Sequence, residues 1–130
     1  MAGFGDYVEN AVLNWMRGTA MPSAPSGIHI GLFSSDPTDA NTGGTEVTTT
    51  VRAAGRVAAT FGAASGGSMS NSALIDYGNA AGGATVSHFA AFDAPTGGNK
   101  LFSGALSAAK AVTTGDPVSF AIGALSVTSD

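Results

Sequence analysis

Over much of this chain, apolar and polar residues alternate in short runs separated by turn-forming clusters. The pattern is clearest over residues 85–128. Val86, His88, Ala90 and Phe92 fall on one face of an extended segment, with Phe89 and Ala91 on the other. Both faces therefore carry apolar side chains. That suits a strand in a two-sheet sandwich, with a core on one side and a partner on the other. Residues 93–99 (DAPTGGN) supply a loop rich in residues that tolerate positive φ, and residues 101–106 return as the next strand. A second tight turn is predicted at Thr114-Gly115-Asp116-Pro117. After it Val118, Phe120 and Ile122 alternate strictly, while Leu125 and Val127 continue in the opposite phase. One extra residue near Gly123, a β-bulge, would restore the facing.

Upstream the period changes. Over residues 3–17, Phe4, Tyr7, Val8, Ala11, Val12, Trp15 and Met16 recur at helical spacing, with Asp6, Glu9, Asn10 and Asn14 off the stripe. Asp6 sits near the positive end of the helix dipole, Arg17 near the negative end, and Gly18 is placed for the left-handed position that ends a helix. Two readings stay open: the stripe packs on its own sandwich, or it docks on a neighbouring subunit as an arm. Pro22 and Pro25 prevent the helix from continuing. Further strands are predicted at 28–33 (IHIGLF), 46–50, 56–61 and 73–77, separated by a polar turn at 34–44 and Gly/Ser/Ala loops at 62–72 and 78–84. The fold class is mainly β: an antiparallel β-sandwich of about seven or eight short strands with one N-terminal amphipathic α-helix. The organisation is a single domain, 1–130, divided into a helix or arm (1–18), a linker (19–27) and the sandwich (28–130).

Composition changes the picture in one respect. At 130 residues one core is expected, and with no cysteine there is no disulfide framework or thiolate metal site. The five basic residues, Arg17, Arg52, Arg56, Lys100 and Lys110, are scattered in a chain of net charge −4, which argues against nucleic acid. No apolar run has membrane length, and Asp6 and Glu9 with no basic leader argue against a secretory signal. The unusual number is 11% charged residues, against roughly 25% in an average soluble domain. A folded monomer of this size exposes on the order of 6,200 Å², about 450 Å² per ionised side chain. Such a surface has little charge repulsion to keep copies apart, and suits a subunit covered by copies of itself or by a larger lattice.

Candidate chemistry is sparse. Asp36, Asp39 and Asn41 share a loop, without the alternating ligands and closing Glu of a calcium-binding hand. His29 and His88 lack a third zinc ligand at recognisable spacing. A triad of His88, Asp93 and a serine has no nucleophile-elbow motif behind it. The Gly-Gly pairs starting at 43, 66, 82 and 97 precede neither Lys-Ser/Thr nor a helix, so they read as turns rather than phosphate loops. A non-enzyme without metal or cofactor is expected.

The order of landmarks is more specific. A helix, then HIGLFSSDPTD, GGTEV, RVAATF, SNSALIDY, TVSHFAAFDAPTGGNKLFSGAL and a closing GDPVSFAIGALSVT resemble a group of small tailed-bacteriophage virion proteins, known as tail-fibre-like, decoration or cement proteins. The Leu-Phe-x-x-Asp-Pro turn (32–37) and the Phe-Asp-x-x-x-Gly-Gly-Asn loop (92–99) are the most specific parts. The resemblance implies a virion structural protein assembled in the host cytoplasm. The preferred expectation is a head decoration or cement protein, a homotrimer contacting the major capsid protein or neighbouring virion proteins. The alternative is a tail-associated fibre or adsorption protein that binds the host surface; loops with Tyr77 as their one nearby aromatic count against sugar stacking. Expected assembly contacts are Tyr7 and Trp15 on the helix and Asp36, Asp39, Pro95 and Asn99 in the two loops. Deletion of 1–18 is expected to abolish docking and leave the β core folded.

Overall fold

The run of apolar residues ending at Phe92 forms the central strand of the main sheet. The computed structural model describes residues 3–48, 51–52 and 55–129. In chain order the elements are β1 (Gly3–Phe4), α1 (Asp6–Met16), β2 (Ile28–Phe33), β3 (Val57–Ala59), β4 (Ser68–Ser70), β5 (Ile75–Asn79), β6 (Ala84–Phe92), β7 (Lys100–Val112), β8 (Pro117–Phe120) and β9 (Ser126–Thr128). A five-stranded sheet has the order β1-β7-β6-β2-β3, and two ribbons, β4-β9 and β5-β8, complete the strand pairing. Every pairing is antiparallel. The ribbons pack on one face of the sheet: Phe89 of β6 meets Phe120 of β8 at 6.5 Å between ring centroids. Tyr77 of β5 donates its buried hydroxyl to the Ile30 carbonyl of β2 at 2.7 Å. Burial pushes that hydroxyl's pKa well above its ordinary value. The fold is mainly β with one N-terminal helix, as the pattern predicts.

Several boundaries differ, each for a local reason. The helix begins at Asp6 rather than Gly3, because Gly3 and Phe4 are drawn into the sheet opposite Ser103 and Phe102. Gly5 makes the corner between strand and helix, where a Cβ would stand 2.8 Å from the Lys100 carbonyl oxygen. Gly18 takes the predicted left-handed position, at φ 103°. Phe4, Tyr7 and Val8 pack against the core of the same chain, whereas Trp15, further along the stripe, is 58% exposed. The first half of the stripe thus packs at home and the second projects. Deleting 1–18 would remove a strand of the main sheet as well as the helix.

The expected facing of β6 is also corrected. Between Val86 and His88 the register with β7 shifts, so Val86 joins Phe89 and Ala91 in the main core. Ala90 and Phe92 lie on the opposite face with Phe33, as a second, smaller cluster. A period of two holds only while the ladder is regular, and the bulge changes its phase. β7 runs on to Val112 instead of ending at 106. The expected strands at 56–61 and 73–77 become Val57–Ala59 and Ile75–Asn79. Of the strand expected at 46–50, Glu46 makes an isolated bridge to Phe33, while residues 49–50 lie outside the described residues.

No bulge forms near Gly123. β8 ends at Phe120, a turn follows with Gly123 at φ 80°, and Ser126–Thr128 pairs with β4 instead of continuing along β5. Ile122 is left 69% exposed. Asn71, buried at 1% exposure, directs this crossing. Its Nδ2 donates to the carbonyls of Ala73 (2.9 Å) and Ala121 (3.0 Å), and its Oδ1 accepts from the Leu125 amide (3.0 Å). Its own amide donates to Leu125 O, and its carbonyl accepts from Gly123 N. Substitution Asn71→Ala would strand the buried Leu125 amide and free two part-buried carbonyls, with an unmade buried bond costing about 1–3 kcal/mol. The expected loss is about 3 kcal/mol of unfolding free energy, measured by urea denaturation.

Candidate functional site

The smaller apolar cluster is the floor on which the site is built. Phe33 at the end of β2 and Phe92 at the end of β6 stack with ring centroids 6.2 Å apart. The polar loops at 34–46 and 93–99 cover these rings, and two cations hold those loops down. The Arg56 guanidinium lies 3.5 Å from the Phe92 ring centroid. Its Nε and Nη2 pair with the two Glu46 carboxylate oxygens at 2.8 and 2.9 Å, and its Nη1 donates to the carbonyls of Ala94 and Gly97, both at 2.8 Å. One planar, bidentate side chain thus ties both loops to an aromatic face.

Lys100, the first residue of β7, is fully buried. Its Nζ donates to the carbonyls of Pro37 (2.6 Å), Ala40 (2.7 Å) and Thr38 (3.4 Å), and lies 5.6 and 5.9 Å from the Phe33 and Phe92 ring centroids. Three carbonyls match the three donors of an ammonium. Thr38 takes φ 57°, with the Asp36 carboxylate accepting from its amide at 2.9 Å. Asn41 joins the loops directly: its Nδ2 donates to Asn99 Oδ1 at 3.2 Å, and its Oδ1 accepts from the Lys100 amide at 2.9 Å. Asp93 closes the second loop by accepting from the Asn99 amide and side-chain nitrogen at 2.8 and 3.1 Å. Between the loops, Gly43, Gly44, Gly97 and Gly98 border a cleft of about 210 Å³ with Arg56 and Glu46 in its wall.

Five of the six expected contact residues are placed together. Asp36, Asp39 and Pro95 are exposed on the paired loops, and Asn99 is half-buried between them. The helix start joins this end: the Asp6 amide donates to Asp39 O at 2.8 Å, and Tyr7 lines a 360 Å³ groove with Asp93, Leu101 and linker residues 21–25. Trp15 stands apart at the far end of the helix. The Asp39 carboxylate gathers with those of Asp6 and Glu9, all within 4.8 Å of one another. Exposed carboxylates often gather without an ion. His29 and His88 lie opposite Phe92 and Phe33 respectively, four residues apart along β2, and Ser87 Oγ lies 2.8 Å from His88 Nδ1.

The sequence reading counts Arg56 and Lys100 among scattered surface charges, yet these two and Glu46 organise the site. The one available signal is position: each cation adjoins a predicted apolar strand, beside a loop rich in carbonyls and glycine. Burial drives the Lys100 pKa below its ordinary 10.5. Substitution Lys100→Met should leave the 37–40 carbonyls without their donors and cost about 2–3 kcal/mol in denaturant unfolding. As pH climbs from the folded-state pKa toward 10.5, the unfolded chain keeps a proton that the folded chain has released. Stability then rises with pH, so the gap between wild type and the variant should widen over that window.

The arrangement offers backbone groups and short polar side chains on a braced surface, suited to contact with another macromolecule. A family model described as podophage GP4 fiber I protein gp80 matches residues 3–128. No curated protein matches the chain. The match covers nearly the whole chain and agrees with the resemblance to phage virion proteins. The chain belongs to the podophage GP4 fiber I protein gp80 family, a family of phage virion structural proteins.

Proposed function

We propose that this chain is a non-enzymatic structural subunit of a phage tail fibre, and that the paired loops 34–46 and 93–99 are the surface it presents to a partner. The observation that carries this reading is the family match over residues 3–128, whose description names a fiber. It favours the tail-associated alternative over the head decoration or cement role preferred from the sequence. The physical features are compatible with it. A surface with 11% charged residues suits a subunit packed among others. Loops held by Arg56 and Lys100 lose little freedom when bound, so less of the contact energy is offset by ordering.

The partners in this reading are further copies of the chain and the neighbouring virion proteins. If the loop surface also meets the host, the contact would use carbonyls, amides and residues such as Asp36 and Pro95, since Phe33 and Phe92 are buried and closed to sugar stacking. Gold-labelled antibodies raised against the purified chain should mark the tail of intact virions in electron micrographs. Label confined to the head shell would overturn the fibre assignment and restore decoration.

A further inference from the structure

The main sheet is left open along β7. Its short neighbour β1 covers only the start, through Gly3 opposite Ser103 and Phe4 opposite Phe102. Among the described residues no strand pairs with the outer side of β7 beyond Ser103, although β7 continues to Val112. The inner side is also slack: Val86 pairs with Lys110 and His88 with Ala105, so residues 106–109 face Ser87 alone. Residues 105–111 are exposed apart from half-buried Leu106. Unpaired backbone groups on an edge form a template for another extended strand. The two layers also fail to close at the same place. A groove of about 510 Å³, bounded by Phe89, Leu106, Ser107, Phe120 and Leu125, opens beside this edge.

We propose that β7 pairs antiparallel with β7 of a second copy across a two-fold axis, joining the two main sheets and covering both grooves. Length points to this occupant. The other described strands outside the centre of the main sheet, β3, β4, β5, β8 and β9, have three to five residues each, too few to match the open stretch of β7. The area is that of a modest contact. Residues 104–112 lie against 84–89 of β6, so the edge is roughly 20 Å long where the ladder is flush and up to roughly 30 Å along the looped-out chain. With two layers making it roughly 20 Å thick, that is about 400–600 Å² per copy and about 800–1,200 Å² for the pair, at or just below the lower end of stable interfaces. The chain exposes 6765 Å², more than the roughly 6,200 Å² of a compact monomer of its mass, which leaves surface to cover.

Charge permits the pairing. Lys110 is the one ionised residue between 101 and 112. With Ala108 on the axis, each Lys110 lies opposite Leu106 of the second copy. In a fully extended edge the two Lys110 backbone positions are about 14 Å apart, beyond the roughly 8 Å screening length. Small side chains at 105 and 107–109 let the backbones approach. The contact goes beyond the fibre assignment and does not depend on where in the virion the chain resides.

The chain has no cysteine, so single cysteines report the contact cleanly. Variants Ala105→Cys, Ser107→Cys, Ala108→Cys and Ala109→Cys should yield disulfide-linked dimers under mild oxidation at one or more positions that share a face. Ser65→Cys and Asn10→Cys, on exposed sites elsewhere, should stay uncrosslinked. Sedimentation of wild type should show a species of twice 12.7 kDa, reduced several-fold by Ala108→Pro, which removes an edge donor. Circular dichroism checks that this variant folds; if it does not, the cysteine series decides alone. Four results would overturn the proposal: a monomer at every concentration, because the bulge and Lys110 already blunt the edge; a trimer without β7 crosslinks; equal crosslinking at the control sites; or pairing with a different virion protein only.

Discussion

Two buried cations set over one aromatic pair hold the paired loops of this molecule together. Phe33 and Phe92 emerge from β2 and β6 on the face away from the main core, where among the described residues no second sheet covers them. Loops cover them instead, and loops carry carbonyls that water would otherwise satisfy. Arg56 and Lys100 answer both needs at once. Their charged groups lie over or near the rings, and their N–H donors satisfy carbonyls of Ala94 and Gly97, and of Pro37, Thr38 and Ala40. A lone buried charge would cost several kcal/mol. Here Glu46 balances Arg56, and Lys100 uses its donors on backbone dipoles, so the burial is tolerated.

That constraint explains the rest of the site. The side chains of Asp36, Asp93, Asn41 and Asn99 close turns or link one loop to the other. The exposed remainder is backbone, glycine and short polar groups on a rigid support. A virion subunit faces this requirement at every contact: a surface that keeps its shape without bringing many charges to the interface. Of the few ionised residues in the chain, two cations are spent internally, on bracing these loops.

The second half of the chain solves a different problem, the route of the backbone between layers. Asn71 sits where β8 gives way to β9 and satisfies the backbone of the turn between them. Its five hydrogen bonds substitute for the ladder that would have existed had residues 121–125 stayed extended. The open edge of β7 is the counterpart of this economy: a small two-layer fold with short ribbons does not cover all of a five-stranded sheet, and its longest strand is left with an outer side to share.

Read alone, the residues determined the class of the fold and the places of most strands, since alternation of apolar side chains is local and survives any arrangement of neighbours. They also determined the helix and its Gly18 stop, and the two loops at 34–44 and 93–99. Facing along β6, the extent of β7 and the end of β8 were decided by tertiary structure. Each depends on a bulge or a crossing, and these follow from the partner strand and from Asn71. The roles of Arg56, Glu46 and Lys100 were equally hidden. A lone Arg or Lys in a sequence reads as solvated; only folding brings Phe33, Phe92 and carbonyls from two separate loops within reach of the same two side chains.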